Sequence, residues 1–317
     1  MGSYLLKRLG ASLITAVFSS IAVFLLVRAV PGDVVAQMLG QSGGSGSQAE
    51  ESLRRFFRLD QPLHVQYLTW LGGVLQGDLG QSWVRGQPVA EIVFRAFTVT
   101  LQLALMTLAF ATVIGVPLGL IAGLYEGRRI DAAIQGFTIL GLSAPVFWLG
   151  LILLISISSL FSWSPPLIYR SPMQDLSDNL ATLLLPMLSL GVLQAAAYSQ
   201  FTRQCVVGAF SQDYVRTALA KGLPMRVVFA KHILRNILIS LVTFMGLILI
   251  QILGGVVVIE SLFALPGLGR LLLTAIETRD YPVVQGALLM VVFSALIVNL
   301  LVDMLYHVID PRVRVGG

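Results

Sequence analysis

The sequence predicts an all-α membrane protein with six transmembrane helices and cytoplasmic N and C termini, and three observations predict it. Of 317 residues, 56% are hydrophobic and only 12% charged, against roughly 25% charged in a soluble domain, and mean hydropathy is +0.85. Six apolar stretches are long enough to cross about 30 Å of hydrocarbon as helices, which takes about 20 residues each. Lys and Arg gather beside these stretches on one side, the bias that sets orientation in a bilayer.

In chain order the spans fall near Leu9 to Val30, Thr98 to Leu124, Ala133 to Phe161, Ala181 to Ala197, Ile237 to Ile259 and Val283 to Leu305. The first apolar run is longer than the roughly 7–15 residues of a signal peptide and lacks a small-residue cleavage site, so it reads as an uncleaved span. Lys7, Arg8, Arg128, Arg129, Arg203, Arg216, Lys221, Arg226, Lys231, Arg235, Arg312 and Arg314 fall on one side, whereas the two short loops opposite hold Arg170, Arg270 and Arg279. The chain therefore divides into 1–30, a first helix with a cytoplasmic N-terminus, 31–97, an external loop with short helices, and 98–317, five further spans enclosing a cytoplasmic loop at 198–236. The net charge of +5 reflects this topology rather than nucleic-acid binding.

In the external loop, Gln41 to Ser47 is Gly/Ser-rich and flexible in composition. From Gln48 to Leu75 the pattern is helical: Glu50 and Glu51 stand four residues ahead of Arg54 and Arg55, a favourable ion-pair spacing, and Leu53, Phe56 and Phe57 give an apolar side. Such an amphipathic stripe packs on a surface more often than it touches a substrate.

The cytoplasmic loop carries six basic side chains and Asp213. Val207, Phe210, Tyr214 and Ala218 recur at helical spacing, so the first half reads as one helix. Gly222-Leu-Pro224 stops it, and Val227, Ala230, Leu234 and Ile237 form a second stripe leading into the membrane. Basic interfacial helices that meet anionic lipid share this composition. Small residues Ala218, Ala220 and Gly222 would equally let a protein partner approach the backbone closely, and the pattern alone leaves both readings open.

Polar residues inside spans face either a watery path or a neighbouring helix. Gln251, beside Gly254 and Gly255, is the first path candidate, with Gln102, Gln194 and Asn299 after it; Gln135 and Ser143 also belong to this group. Asp303, near the cytoplasmic end of the last span, reads as an ion-pair partner of a basic neighbour. Pro117, Pro145 and Pro186 interrupt helical hydrogen bonding within spans.

A single cysteine, Cys205, excludes an internal disulfide, and His64, His232 and His307 have no metal-ligand spacing. No G-x-x-x-x-G-K-[ST] phosphate loop is present. Neither G-x-S-x-G, H-E-x-x-H nor paired intramembrane aspartates occur, which argues against an intramembrane enzyme. Uncharged spans argue against a secondary transporter, the alternative without ATPase partners.

Tyr214-Val-Arg-Thr-Ala-Leu-Ala-Lys-Gly222 resembles the Glu-Ala-Ala, three residues, Gly motif by which permease subunits of bacterial ATP-binding-cassette importers dock on their ATPases. Ala218 and Gly222 occupy its third and seventh places, while Arg216 and Thr217 replace the Glu and first Ala. Further family-like stretches are Arg28-Ala-Val-Pro-Gly-Asp33, Gly77-Asp-Leu-Gly-Gln-Ser82, Thr100-Leu-Gln-Leu-Ala104, Gly115-Val-Pro-Leu-Gly119, Ser143-Ala-Pro-Val-Phe-Trp-Leu-Gly150, Glu260-Ser-Leu-Phe-Ala-Leu-Pro-Gly-Leu-Gly-Arg270, Arg279-Asp-Tyr-Pro-Val-Val-Gln-Gly286 and Asp310-Pro-Arg-Val-Arg314. Together they resemble the dipeptide, oligopeptide and nickel branch; Ser240 departs from it, standing where a proline often ends the loop signature.

The resemblance implies a type I importer permease fold in the bacterial inner membrane, a second homologous permease, two ATPase subunits that hold ATP and Mg, and an external solute-binding protein. It implies no cofactor and no catalysis in this chain. It implies ATPase coupling through Tyr214, Arg216, Ala218, Ala220, Lys221 and Gly222, and binding-protein contact through Gly77, Asp78, Gly80, Pro266, Gly267 and Gly269. The expected cargo is a peptide or a similar small solute.

Overall fold

In a computed structural model of the chain, residues 2–29, 51 and 60–309 are described. The tract 41–47, the ion-pair spacing and apolar side read at 50–57 apart from Glu51, and the motif at 310–314 lie outside the described residues. The described chain is helical: α1 Gly2–Ala29, α2 Leu63–Leu75, α3 Val89–Leu124, α4 Arg129–Ser143, α5 Val146–Phe161, α6 Leu176–Phe210, α7 Asp213–Ala220, α8 Met225–Gly255, α9 Val257–Leu262, α10 Leu268–Glu277 and α11 Tyr281–Ile309. Five of these, α1, α3, α6, α8 and α11, are long and apolar enough to span a bilayer, and the bent pair α4 and α5 makes a sixth if it is counted as one broken span.

The third predicted span, Ala133 to Phe161, is thus not one helix. Its halves meet at 102° because Pro145 has no N–H to continue the ladder and pushes Ala144 to φ −80°, ψ 126°. Pro117 and Pro186 lie inside continuous helices. The fourth span, placed at Ala181 to Ala197, runs on through 35 residues to Phe210. The fifth does not reach Ile259 as one helix, since α8 ends at Gly255 and α9 restarts beyond Val256.

Two compact units divide the chain. One comprises Thr98–Arg270 and the segment from Ser294, and its packing centres on α3 against α6. A Cβ on Gly115 would lie 2.5 Å from the Ala195 carbonyl, on Gly119 2.5 Å from the Ser199 carbonyl, and on Gly123 2.6 Å from Val206 Cβ. This Gly-x-x-x-Gly-x-x-x-Gly ridge lets two backbones touch where only dispersion holds helices together, the small-residue solution for membrane helices. Val99, Leu103, Leu183, Leu190, Val256, Ile259 and Leu265 form a buried cluster beside it.

The other unit comprises Gly2–Phe97 and Leu271–Phe293. Within it Phe24 of α1 stacks edge-on to Tyr67 of α2 at 5.5 Å, and Ser20 Oγ lies 2.8 Å from the Tyr67 hydroxyl. Helices α3 and α11 approach at Gly286, where a Cβ would come within 2.7 Å of Val89.

Candidate functional site

The loop at 198–236 begins as the last three turns of α6. Ser211 Oγ donates to the Gly208 carbonyl at 2.8 Å and Gln212 Nε2 to the same carbonyl at 3.4 Å, and Gln212 turns extended at φ −78°, ψ 146°. Side chains that satisfy the backbone locally end helices, so the predicted single helix from Val207 to Ala218 is two, and α7 starts afresh at Asp213. It ends at Gly222, with φ +77°. There Leu223 N–H donates to the Ala218 carbonyl at 3.3 Å and Gly222 N–H to the Leu219 carbonyl at 2.9 Å, the paired bonds of a Schellman cap that favours glycine.

The cap decides which residues of α7 can meet a partner. Val215 and Ala218 are buried at 1% and 6% exposure, and Tyr214 is half-buried. Arg216, Thr217, Leu219, Ala220, Lys221, Gly222 and Leu223 face outward, followed by Met225, Arg226 and Val227. Ala218, expected at the closest approach, therefore lies on the inner face of α7, while Ala220 and Gly222 lie on the outer one. Beyond the cap, Val228–Ile233 is a π-helical turn whose Val228 and Ile233 are fully buried.

An ion pair braces the same side of this unit. Arg203 Nε and Nη2 donate to the two Asp131 oxygens at 2.7 and 2.8 Å, and Gly127 N–H donates to Asp131 at 2.9 Å. The side chains of Arg203 and Asp131 are 19% and 7% exposed. This bidentate geometry ties the α3–α4 turn to α6, and the hydrophobicity pattern alone gave no sign of it.

Among the outer-loop candidates, Gly77, Asp78 and Gly80 are exposed in a tight turn, with Asp78 accepting the Gly80 N–H at 2.8 Å. A buried pair anchors this turn: Ser82 Oγ donates to Asp280 Oδ2 and Trp83 N–H to Asp280 Oδ1 at 3.1 Å. In the second loop Pro266 is exposed, but Gly267 and Gly269 are buried. The Glu260 carboxylate occupies the space a Gly267 side chain would fill, and Val257 occupies the space beside Gly269.

The polar path candidates separate. Gln251 is exposed, with Leu247 one turn before it at 58%, and Gly254 and Gly255 open to space beyond it. Asn299 is exposed on α11. Gln102 instead engages Asn179 and accepts the Tyr169 hydroxyl at 3.0 Å, and Gln194 is 5% exposed within α6. Asn179, fully buried, also donates to the Arg170 carbonyl at 2.8 Å. Among the described residues no His, Cys, Asp and Glu group has metal-site geometry.

Five long apolar helices, a bent helix pair and a small-residue helix crossing make this a polytopic membrane protein. The chain belongs to the binding-protein-dependent transport system inner membrane component family: that family's profile matches residues 115–315, and the profile of its N-terminal membrane region matches residues 1–104. It is 35% identical over 337 residues to the dipeptide transport system permease protein DppB of Escherichia coli K12 and 38% identical over 314 residues to the glutathione transport system permease protein GsiC of E. coli O6:H1, covering 99% of each chain in both cases. The fold is similar to that of the MetNI methionine ABC transporter in inward-facing conformations, with a TM-score of 0.52 at 17% identity over 69% of this chain and 96% of that one.

Proposed function

We propose that this permease carries small peptides, paired with a second homologous permease, two ATPase subunits and an external binding protein, with both of its termini cytoplasmic. Relatives matched along their whole length are named for dipeptide and glutathione transport, and glutathione is itself a short peptide. The observation that carries the coupling half of the reading is the outward face of α7 and its cap, where Leu219, Ala220, Leu223 and Met225 lie exposed among Arg216, Lys221 and Arg226. Apolar side chains ringed by basic ones suit a protein groove with an acidic rim better than open water.

In this reading ATP and Mg bind the partner subunits, whose closure moves α7 and, through buried Val215 and Ala218, the start of α8. Gln251, Gly254, Gly255 and Asn299 face the path, while Gln102 and Gln194 hold helices together. The test is uptake by the complex in proteoliposomes: ATP-dependent entry of labelled dipeptide or glutathione is expected, with single amino acids excluded. Uptake that persists without the ATPase subunits would sink the importer reading, and uptake of amino acids alone would sink the peptide one.

A further inference from the structure

Glu260 is fully buried although it follows directly on an apolar span. Its Oε1 accepts the Thr100 hydroxyl. Its Oε2 accepts the Arg270 N–H at 2.9 Å, and the Gly269 N–H also points at the carboxylate. The Thr100 oxygen in turn accepts the Leu268 N–H at 2.8 Å. These amides are the first of α10, where a helix leaves donors unsatisfied and favours negative charge.

The chain from Pro266 to Gly269 is shaped around this carboxylate. A Cβ on Gly267 would sit 2.1 Å from Glu260 Cδ and one on Gly269 3.1 Å from Oε2. Leu265, 1% exposed, plugs the cluster formed with Val99, Leu103 and Leu183, and its N–H donates to the Glu260 carbonyl at 2.8 Å. Arg270 Nη1 closes the turn on the Ala264 carbonyl at 2.6 Å, and Ala264 is held at φ +54°. What remains outward is Ala264, Pro266 and Arg270.

A connection that only joins two helices has no use for a buried carboxylate, whose desolvation is costly unless every oxygen is satisfied. Here the satisfied carboxylate locks three outward residues to α3 in one register. We propose that Glu260 is a positioning residue that presents Ala264, Pro266 and Arg270 as a rigid docking knob to the external binding protein. The proposal rests on the importer reading above, and it makes Glu260 a determinant of docking rather than of transport chemistry.

The test uses the full complex in lipid nanodiscs, comparing wild type with Glu260→Gln, Glu260→Asp and Thr100→Val. ATP hydrolysis is titrated with binding protein, and amide exchange of residues 264–270 is followed in the same samples. An amide side chain offers one oxygen where the carboxylate offers two, so Glu260→Gln should raise the half-saturating binding-protein concentration about tenfold while the maximal rate stays within about twofold. Exchange at Leu268, Gly269 and Arg270 should quicken, with Thr100→Val behaving similarly and Glu260→Asp falling between. Unchanged exchange would remove the anchor, and quickened exchange with an unchanged half-saturating concentration would remove the docking role. A maximal rate that falls in step with the amount of assembled complex would reduce Glu260 to a folding residue. Wild-type hydrolysis that ignores binding protein would remove the importer reading, and the proposal with it.

Discussion

At the residue scale, buried Asp131, Asn179 and Glu260 are each matched to particular partners, and the cost of separating such groups sets the first predictions. Arg203→Ala leaves Asp131, 7% exposed, without its bidentate partner, and unpairing a buried charge costs about 3–5 kcal/mol. The variant should unfold at a clearly lower temperature in detergent, and Arg203→Met combined with Asp131→Asn should recover most of that loss. An unchanged melting temperature for Arg203→Ala would mean the pair is surface decoration. Gly119→Leu should be more damaging than the same change at Gly136, because Gly119 lies against the Ser199 backbone and nothing stands within 4 Å of Gly136; forcing a large side chain into a close helix crossing costs about 1–3 kcal/mol or more. Equal thermal stability of the two variants would show that the ridge is not in contact.

At the element scale, α7 works as a surface only because its cap and its inner face are both satisfied. Ala220→Glu places a charge on the outer face without disturbing buried Val215 or Ala218, and a poorly solvated charge at an interface costs on the order of 2–4 kcal/mol. The variant should insert normally yet co-purify with little ATPase subunit. Full co-purification and wild-type uptake would leave α7 as a membrane-surface helix. Ala218→Glu, by contrast, should lower the stability of the isolated subunit as well. Helix α6 carries a separate device at its other end: Asp175 accepts the Asp178 N–H, the Ser177 hydroxyl and the Ser177 N–H, and these bonds hold its carboxyl below the usual carboxylate range. A depressed folded-state pKa stabilises above the unfolded value and is lost as pH falls through the folded one. First-turn protection of α6 should therefore decline in acid, and Asp175→Asn, which can cap without titrating, should flatten that dependence.

At the scale of the whole molecule, orientation and energy supply are the properties to measure. In a Cys205-free background, cysteine at Met173, fully exposed between α5 and α6, should label from outside intact cells, whereas cysteine at Arg129 should label only after permeabilisation. Equal labelling from outside would overturn the orientation. The purified chain without partners should neither bind nor hydrolyse ATP, as expected where no phosphate loop exists; hydrolysis by a partner-free preparation would contradict it.

Five long spans and the apolar stretch of the bent pair, their order and the basic loop were legible because hydropathy and charge are local properties that any stretch displays without its neighbours. So were the Gly-Leu-Pro stop after α7 and the family-like motifs around it. The tertiary structure decided what depends on facing: that α7 turns Ala218 inward and Ala220 outward, that Gly267 and Gly269 wrap a carboxylate, and that Asp131 meets Arg203 across 72 residues of chain. The helical period places Ala218 and Ala220 on different sides, but only the packed neighbours determine which side is covered. Pro145 was visible as a helix breaker, yet the 102° bend needed the packing of α4 and α5 on α6 to select it over the continuous path taken at Pro117 and Pro186. Glu260 stands one residue past the predicted fifth span, and a sequence records its charge but not the Thr100 hydroxyl and Arg270 amide, 160 and ten residues away, that allow it to be buried.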